Sequence, residues 1–276
     1  YGNVTTSGGD FLAWAGNGYS TGIDGIGTNG GLYVIDTGTT GTGDITLITN
    51  AVNGSGTNSI KFQTSGVFTL APNGGAFPSE FLWNPSVSSD SYEFPGGSFN
   101  YLNVRDISTL SGLTIGQYSG MLDGNGDPVV LGNSSNVTIS TAASIAGPIS
   151  VYGRDITANN NLITDAPGAG ILLKASGSIT TNSSRTIQTN GGDITMAGGL
   201  DNGSSAVFGL RVAGDSRPDG FAVGRGSVAN DNGVLIGVWG SARTIQILSG
   251  GGDINIAGQS STVVGNSRGG VAMISG

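Results

Sequence analysis

The fold is decided by a stretch that occurs twice, as RTIQTNGGDITMAG at Arg185–Gly198 and as RTIQILSGGGDINIAG at Arg243–Gly258. In both copies a short β-branched run meets a glycine turn that carries one aspartate, and a second alternating run follows. This pattern predicts a module of strand, tight turn and strand. Weaker echoes of the module occur at Gly43–Leu47, Arg105–Ser108, Arg154–Thr157 and Gly177–Thr180. A strand-turn unit repeated along a chain is typical of stacked or solenoid architectures.

Composition indicates an ordered all-β chain. The 276 residues include 52 glycines, only 10% charged residues and 37% hydrophobic ones. Long helices favour Ala, Leu, Glu, Lys and Gln, whereas Glu occurs here only at Glu80 and Glu93 and Lys only at Lys61 and Lys174. Ile and Val recur at alternating positions along the chain, which disordered Gly-rich chains do not show. We therefore expect almost no helix.

Charge and residue usage exclude several kinds of partner and chemistry. The net charge of −8 leaves no basic stripe for nucleic acid and gives no attraction to anionic lipid surfaces. The absence of cysteine excludes disulfides and thiolate chemistry. No run of 18 apolar residues occurs, so no segment is predicted to span a bilayer as a helix. The chain starts at Tyr1 without a signal peptide and ends in mid-pattern at Gly276, which predicts a processed product or a piece of a longer protein.

Proline usage divides the chain into three predicted parts. Residues 1–70 form a β-rich N-terminal part, residues 71–101 an insertion or cap, and residues 102–276 the regular repeats. The middle part is assigned from its cluster of prolines, Pro72, Pro78, Pro85 and Pro95. Proline is excluded from central strands, so this part is expected to lie against the β stack as a loop or cap.

The aromatic residues of the 71–101 segment have two interpretations. Aromatic side chains contribute large apolar areas, so they can cover an exposed end or face of the core. Alternatively the segment is a binding loop in which Trp83 or Tyr92 stacks against a sugar.

The spacing of the alternating runs after residue 102 predicts a parallel β-helix. The runs Leu113–Ile115, Val137–Ile139 and Asn161–Ile163 begin 24 residues apart, and the runs that begin at Ile149 and Ile171 are 22 residues apart. A step of about 22–25 residues fits one coil of a three-sided parallel β-helix, in which coils rise by roughly 4.8 Å. A β-sandwich is the alternative, because Gly-Asn and Asp-Gly turns are frequent here; it requires antiparallel pairing.

One long string resembles a known family. The region includes SIAGPISVYGRDITA at Ser144–Ala158 and GILLKASGSIT at Gly170–Thr180, followed by a Gly-Gly-Asp-Ile-Thr element. It resembles the repeats of giant bacterial surface adhesins, the filamentous-haemagglutinin-like and autotransporter-like β-repeat proteins. The likeness covers about residues 102–276, and residues 1–101 match only in composition. Membership would imply a right-handed parallel β-helix, secretion to the cell surface, and no catalytic residues to carry over.

Few catalytic arrangements are compatible with this residue set. Without His and Cys, Ser-His-Asp triads, Cys-His dyads and the usual zinc sites are impossible. Carboxylate pairs remain, because β-helix folds host polysaccharide lyases and glycosidases that need only Asp or Glu plus a cation. If the Arg-Asp-Ile elements at 105–107 and 154–156 lie two coils apart, Asp106 and Asp155 would be roughly 10 Å apart on one face. The simpler interpretation is that an Asp at this corner of each coil caps turn N–H groups.

One short segment has the pattern of a calcium loop. Asp123, Asn125 and Asp127 place oxygen-bearing side chains at alternate positions. Pro128 stands where the EF-hand glycine belongs and Ser134 where its bidentate Glu should be, so an EF-hand is excluded. A Ca²⁺ site of another type and a plain Asp/Asn-Gly turn remain, and the turn is favoured. No other cofactor is expected.

Taken with the resemblance, these patterns predict a non-enzymatic protein of the bacterial cell surface or extracellular space, a β-helical shaft segment of a larger adhesin. The alternative is a subunit of a self-assembling extracellular filament, and a polysaccharide lyase or glycosidase is a third hypothesis. The expected partners are neighbouring repeats or identical subunits, with surface glycans as a further candidate and no nucleic acid. In a filament the open end of the stack would pair with another chain.

Overall fold

A computed structural model of the chain describes residues 3–15, 26–27, 33–38, 43–53, 60–78, 80–83, 102–105, 107–122, 128–131, 133–182, 184–198, 220–224, 232–237, 244–260 and 269–274. These residues are nearly all β, and most of their strands pair in parallel. Their one helical element is a three-residue 3-10 turn at Ile107–Thr109, so the expectation of almost no helix is confirmed for them. They contain no helix of the length and apolarity that crossing a membrane requires.

Two long sheets dominate the described part of the chain. In order across the sheet, the eight-stranded sheet contains β2 (Phe11–Trp14), β5 (Ile45–Ile48), β8 (Val67–Ala71), β11 (Gly112–Ile115), β16 (Ile149–Gly153), β19 (Ile171–Ala175), β22 (Ile194–Ala197) and β26 (Ile254–Ile256). The six-stranded sheet contains β9 (Phe81–Trp83), β14 (Val137–Ile139), β17 (Ile156–Ala158), β20 (Ile179–Thr181), β24 (Val234–Ile236) and β28 (Val271–Met273).

Smaller sheets accompany them. The N-terminal four-stranded sheet contains β1 (Val4–Thr5), β4 (Tyr33–Gly38), β7 (Ile60–Thr64) and β10 (Leu102–Arg105). The C-terminal four-stranded sheet contains β15 (Ala143–Ile145), β18 (Leu162–Pro167), β21 (Thr186–Asn190) and β25 (Gln246–Leu248). The two-stranded sheets pair β3 (Ile26–Gly27) with β6 (Val52–Asn53), β23 (Ala222–Val223) with β27 (Gly258–Gln259), and β12 (Tyr118–Leu122) with β13 (Pro128–Leu131).

The chain visits three sheets in a repeating order. β14 lies in the six-stranded sheet, β15 in the C-terminal four-stranded sheet and β16 in the eight-stranded sheet. The next strands, β17, β18 and β19, repeat this order one strand further along each sheet, and β20, β21 and β22 repeat it again. In the first part of the chain the N-terminal four-stranded sheet precedes the eight-stranded one, since β1, β4, β7 and β10 are followed by β2, β5, β8 and β11.

Strand pairing bears directly on the β-sandwich alternative. Among the described strands only β12 and β13 pair antiparallel, and every other pair is parallel. An immunoglobulin-like sandwich is built from antiparallel sheets. The described pairing is therefore that of a parallel architecture, and the sandwich is not supported.

Alternate side chains of the strands form one continuous core. Ile149 pairs with Ile171, and Ile171 pairs with Ile194 in the next strand of the eight-stranded sheet. Two residues further on, a second buried column consists of Val151, Leu173 and Met196. Burying one such side chain contributes roughly 1.5–3 kcal/mol relative to leaving it exposed, so these columns are the main stabilising feature.

The predicted spacings are right in one case and wrong in the other. Ile149 and Ile171 pair directly, which confirms the 22-residue step. The 24-residue step is wrong, because its three runs lie in three different sheets: Leu113 pairs with Ile149, Val137 with Ile156, and Leu162 with Ala143. Short alternating strands have similar sequences in every sheet, so a matching pattern of residues does not identify which strands are neighbours.

The duplicated stretch is a corner between sheets. In the first copy β21 belongs to the C-terminal four-stranded sheet and β22 to the eight-stranded one, so the glycine turn between them does not close a hairpin. The second copy stacks directly on the first, with Ile187 opposite Ile247 and Ile194 opposite Ile254. The two Thr-Ile-Gln runs are shifted by two residues relative to each other, since Thr186 lies opposite Gln246. Because side chains alternate along a strand, a shift by an even number keeps the same faces of the two strands inward.

The predicted boundaries at residues 71 and 102 do not interrupt the sheets. β8 and β11 are neighbours in the eight-stranded sheet, so the N-terminal part and the regular repeats share it. Within the predicted insertion, β9 pairs with β14 at the edge of the six-stranded sheet. Phe77 stacks on Phe81 with ring centroids 5.0 Å apart. Residues 84–101 lie outside the described residues, and the insertion or cap assigned there stays a prediction.

Candidate functional site

A recurring corner precedes strands of the eight-stranded sheet. We use the name Gly-Asp corners for Gly9-Asp10, Gly43-Asp44, Gly192-Asp193 and Gly252-Asp253, which lie immediately before β2, β5, β22 and β26. Each joins a strand of a four-stranded sheet to a strand of the eight-stranded sheet. Asp suits this place because its short side chain reaches backbone N–H groups of a turn.

The corners are linked between layers by a carboxylate. The backbone N–H of Asp253 donates to Oδ1 of Asp193 at 2.8 Å. Near the other end of the sheet, the N–H of Asp44 donates to Oδ1 of Asp10 at 2.9 Å, and the N–H of Val67 donates to Oδ1 of Asp44 at 2.8 Å. In all three bonds the acceptor lies in the earlier layer and the donor in the later one. The ionised acceptor makes these bonds stronger than neutral ones.

The same direction holds at other corners of the stack. Asn161 Oδ1 accepts from the N–H of Thr186 at 2.9 Å, and Asn50 Oδ1 accepts from the N–H of Asn73 at 2.9 Å. In each case a short polar side chain of one layer caps a backbone donor of the layer that follows. The side chains therefore satisfy corner N–H groups that strand pairing leaves unpaired.

Glycine is required at the stacked corners by close contact between layers. A Cβ at Gly252 would lie 2.4 Å from the carbonyl oxygen of Gly192, and one at Gly43 would lie 2.4 Å from that of Gly9. Both distances are far below a van der Waals contact, and both partners are backbone atoms. Any side chain at these positions would push the layers apart.

Buried threonines are a part of the corners that was missed from the sequence. Thr37 lies near the end of β4 and Thr164 within β18, and their Oγ1 atoms donate to the carbonyl oxygens of Gly43 and Ala169, each at 2.7 Å. Thr64 and Thr189 occupy the same place in β7 and β21. Each follows an inward apolar residue by two positions, as in Ile35-Asp36-Thr37 and Leu162-Ile163-Thr164, and this spacing is the signal that would have identified them.

Asp155 has the capping role that the sequence favoured. Its Oδ1 accepts from the backbone N–H of Ser178 at 2.9 Å and from the Ser178 hydroxyl at 3.3 Å. Its Oδ2 lies 3.6 Å from Nε of Arg154. The repetition of the Arg-Asp-Ile element is not structural, because Ile107 belongs to a 3-10 turn and Ile156 to β17. Asp106 lies outside the described residues, so the Asp106–Asp155 carboxylate pair stays untested.

Trp83 requires a correction. It lies in β9 with its inward partner Ile139 in β14, and its side chain is 1% exposed. An indole enclosed by the core has no face open to a sugar. Trp83 therefore does not stack on a carbohydrate, and the prediction that it does is wrong. Phe77 and Phe81 are buried as well. The burial of these three side chains agrees with the other interpretation, in which the aromatic residues of the segment cover the core. Tyr92 lies outside the described residues and stays a prediction.

The predicted calcium ligands also lie outside the described residues, since Asp123, Asn125 and Asp127 fall in the gap between β12 and β13. Within the described ranges no group of three or more His, Cys, Asp or Glu side chains is arranged to hold a metal ion. The Ca²⁺ site therefore remains a prediction from the sequence.

Comparisons with protein-family models, with curated proteins and with solved structures find no match to the chain.

Proposed function

We propose that this chain is a right-handed parallel β-helix that serves as a non-enzymatic shaft segment of an extracellular or cell-surface adhesion protein. The observation that carries the proposal is the eight-stranded parallel sheet, which runs from Phe11 in β2 to Ile256 in β26 over one continuous core. Eight strands at roughly 4.8 Å spacing give the stack a length of about 34 Å. Further layers of the same kind stacked at either end would extend the shaft.

The repeating order of the sheets supports the β-helix. Successive strands pass through the six-stranded, the four-stranded and the eight-stranded sheet and then return one strand further along. A chain that advances by one layer per circuit, with all three sides parallel, describes a coil. Connections between parallel strands of one sheet are right-handed in nearly all proteins, which supports the hand.

The mechanical role follows from how the layers are joined. Strand pairing, the Gly-Asp corners and the buried threonines satisfy backbone groups in successive layers, and the apolar columns run through them. Each layer contacts mainly its two neighbours, so the stack is a one-dimensional array whose stability accumulates along its length. Such an array suits a shaft that holds other segments at a distance.

Location and adhesion rest on the resemblance of residues 102–276 to bacterial β-repeat adhesins and on the composition. The low content of charged residues, the abundance of Ser, Thr and Asn and the lack of Cys agree with that resemblance. Antibodies against residues 1–276 should label intact, unpermeabilised cells of the source organism. Labelling only after permeabilisation would contradict a surface location.

The β-helix can be tested with pairs of introduced cysteines, because the natural chain has none. Three outward pairs lie directly opposite on three sides of the proposed coil: Ser150 with Leu172, Thr157 with Thr180, and Ser144 with Ile163. Neighbouring strands place Cα atoms within the roughly 4.4–6.8 Å that a disulfide requires. All three double-cysteine variants should form an intramolecular disulfide on mild oxidation.

The matched control joins residues two layers apart, as Ser150→Cys with Thr195→Cys, since Thr195 lies opposite Leu172 on the far side. This pair is separated by roughly 9.6 Å and should stay reduced. Equal oxidation of the control, or failure of one of the three adjacent pairs in a folded variant, would contradict a three-sided coil.

A further inference from the structure

The first described layer carries the same corner as the last described layers. Val4–Phe11 reads VTTSGGDF, Ile187–Ile194 reads IQTNGGDI, and Ile247–Ile254 reads ILSGGGDI. In each the inward residue of a four-stranded sheet is followed seven positions later by the inward residue of the eight-stranded sheet. The second and third of these corners stack directly on each other. The first corner therefore has the sequence of a layer that can follow the last.

The geometry of the two terminal corners also agrees. The N–H of Gly9 donates to the carbonyl oxygen of Thr6 at 3.3 Å, and the N–H of Gly252 donates to that of Ser249 at 3.4 Å. Gly8 and Gly251, one position earlier, both adopt a positive φ, at 104° and 124°. The two ends thus present the same turn.

The two outermost described layers leave side chains at inward positions exposed. Ile254, Val271 and Met273 are 45%, 37% and 71% exposed, although the residues they stack on, Ile194, Val234 and Ile236, are buried. At the other end Val4 is 44% exposed, whereas Ile35, which stacks on it, is buried. These residues stand at inward positions, so another layer of the same kind would cover them.

The surroundings of Gly9 indicate what kind of layer would cover the first described one. A Cβ at Gly43, Gly66, Gly192 or Gly252 would lie 2.2–2.4 Å from a carbonyl oxygen of the preceding layer. A Cβ at Gly9 would meet only atoms of Thr6, at 3.7 Å or more, and Gly9 has no positive φ. Nothing in the described part of the chain requires glycine there. It is required if a carbonyl oxygen of a preceding layer approaches Gly9 as Gly192 approaches Gly252.

We propose that copies of this chain associate head to tail, with the Gly252-Asp253 corner of one copy stacked beneath the Gly9-Asp10 corner of the next. β26 and β2, the edge strands of the eight-stranded sheet, then become neighbours, as do β25 and β1. Within the chain, the carboxylate of the earlier layer accepts from the backbone N–H of the later layer. In the same direction, Oδ1 of Asp253 accepts from the backbone N–H of Asp10 in the second copy. The carbonyl oxygen of Gly252 faces Gly9. The proposal rests on the β-helical stack argued above.

The test is sedimentation velocity and negative-stain electron microscopy of residues 1–276 over a series of protein concentrations. The natural chain should form filaments that lengthen with concentration. Gly9→Ala should stop elongation, and at a dilution where the natural chain is also monomeric it should melt at the same temperature, because its Cβ has room within one copy. Asp253→Ala should weaken association about tenfold or more, the usual effect of losing a hydrogen bond to a charged group. Asp165→Ala, another exposed aspartate far from both ends, is the matched control and should associate normally.

A mixing experiment separates head-to-tail stacking from general aggregation. Gly9→Ala blocks only the first layer, and Ile254→Lys blocks only the last by placing a charge in the buried seam. Each variant alone should be monomeric, and an equimolar mixture should form dimers and nothing longer, since one joint is intact. Long fibres from either variant alone would overturn the proposal.

The oligomeric state and the oxidation of the cysteine pairs together distinguish an error in head-to-tail association from an error in the β-helix. A natural chain that stays monomeric at several hundred micromolar, while the three cysteine pairs oxidise as expected, overturns head-to-tail association and leaves the shaft standing. Loss of the oxidation pattern itself would contradict the stack on which both proposals depend.

Discussion

The backbone N–H of Val67 donates to Oδ1 of Asp44 at 2.8 Å, across 23 residues of chain and from one layer of the sheet to the one before. The same carboxylate belongs to a residue whose own N–H donates to Oδ1 of Asp10. Asp44 therefore bonds to the layer before it through its backbone N–H and to the layer after it through its carboxylate. This one residue joins three successive layers of the sheet.

Asp44→Ala should lower the free energy of unfolding by about 1–2 kcal/mol, because it removes a charged acceptor and leaves the N–H of Val67 unpaired. Asp44→Asn keeps an oxygen at the Oδ1 position and should cost about half as much or less. Urea unfolding followed by far-ultraviolet circular dichroism measures both. Equal losses for the two variants would indicate that the negative charge, and not the bond to Val67, is what matters.

Gly192→Ala should be among the most destabilising single changes in the chain. The new Cβ would lie 2.2 Å from the carbonyl oxygen of Ala169, and neither backbone can move without separating β19 from β22. We expect a loss of about 3 kcal/mol, at the upper end of the usual cost of overpacking. Gly9→Ala makes the same substitution at the same place in a corner where the new Cβ meets only atoms of Thr6, at 3.7 Å or more, and should change stability by about 0.5 kcal/mol or less. A thermal melt of both variants decides the comparison.

The strands and their turns were predictable because alternation and glycine report local structure. Ile149 and Ile171 each begin a five-residue strand with the same alternation of buried side chains, and their 22-residue step was predicted correctly. The step that joins Leu113 to Val137 was predicted wrongly, because strands of different sheets alternate in the same way. Which strands pair is a long-range property that a local pattern does not contain.

The candidate site was predictable only in part for the same reason. A capping role for Asp155 follows from its side-chain length and its place before a strand, and the structure has it. The burial of Trp83 depends on its pairing with β14, more than 50 residues away, which no local pattern indicates. The corner at Gly9-Asp10 was missed because the run before it, Val4–Thr5, is too short to be recognised as a strand.

Leu173→Ala should lower the free energy of unfolding by about 2–5 kcal/mol, because it leaves a cavity in the middle of an apolar column. Leu173 is buried between Val151 and Met196 in neighbouring layers. Leu248→Ala is the matched control: Leu248 is exposed in the outermost described strand of its sheet, and its loss should cost about 0.5 kcal/mol or less. Chemical denaturation of both variants provides the numbers. A small effect at Leu173 would mean that the layers on either side can collapse onto the gap.

Thr164→Val should lower stability by about 1–2 kcal/mol, although the two side chains have nearly the same shape. Thr164 is buried, and its hydroxyl donates to the carbonyl oxygen of Ala169 at 2.7 Å, so the substitution leaves that oxygen without its donor. Thr195→Val is the control, because Thr195 lies on the outward side of β22 with its side chain partly in solvent, and it should change stability by about 0.5 kcal/mol or less. Urea denaturation of the two variants beside the natural chain measures the difference. If Val is tolerated at both positions, the buried threonines serve only to fill space, and the corners are held by the aspartates and glycines alone.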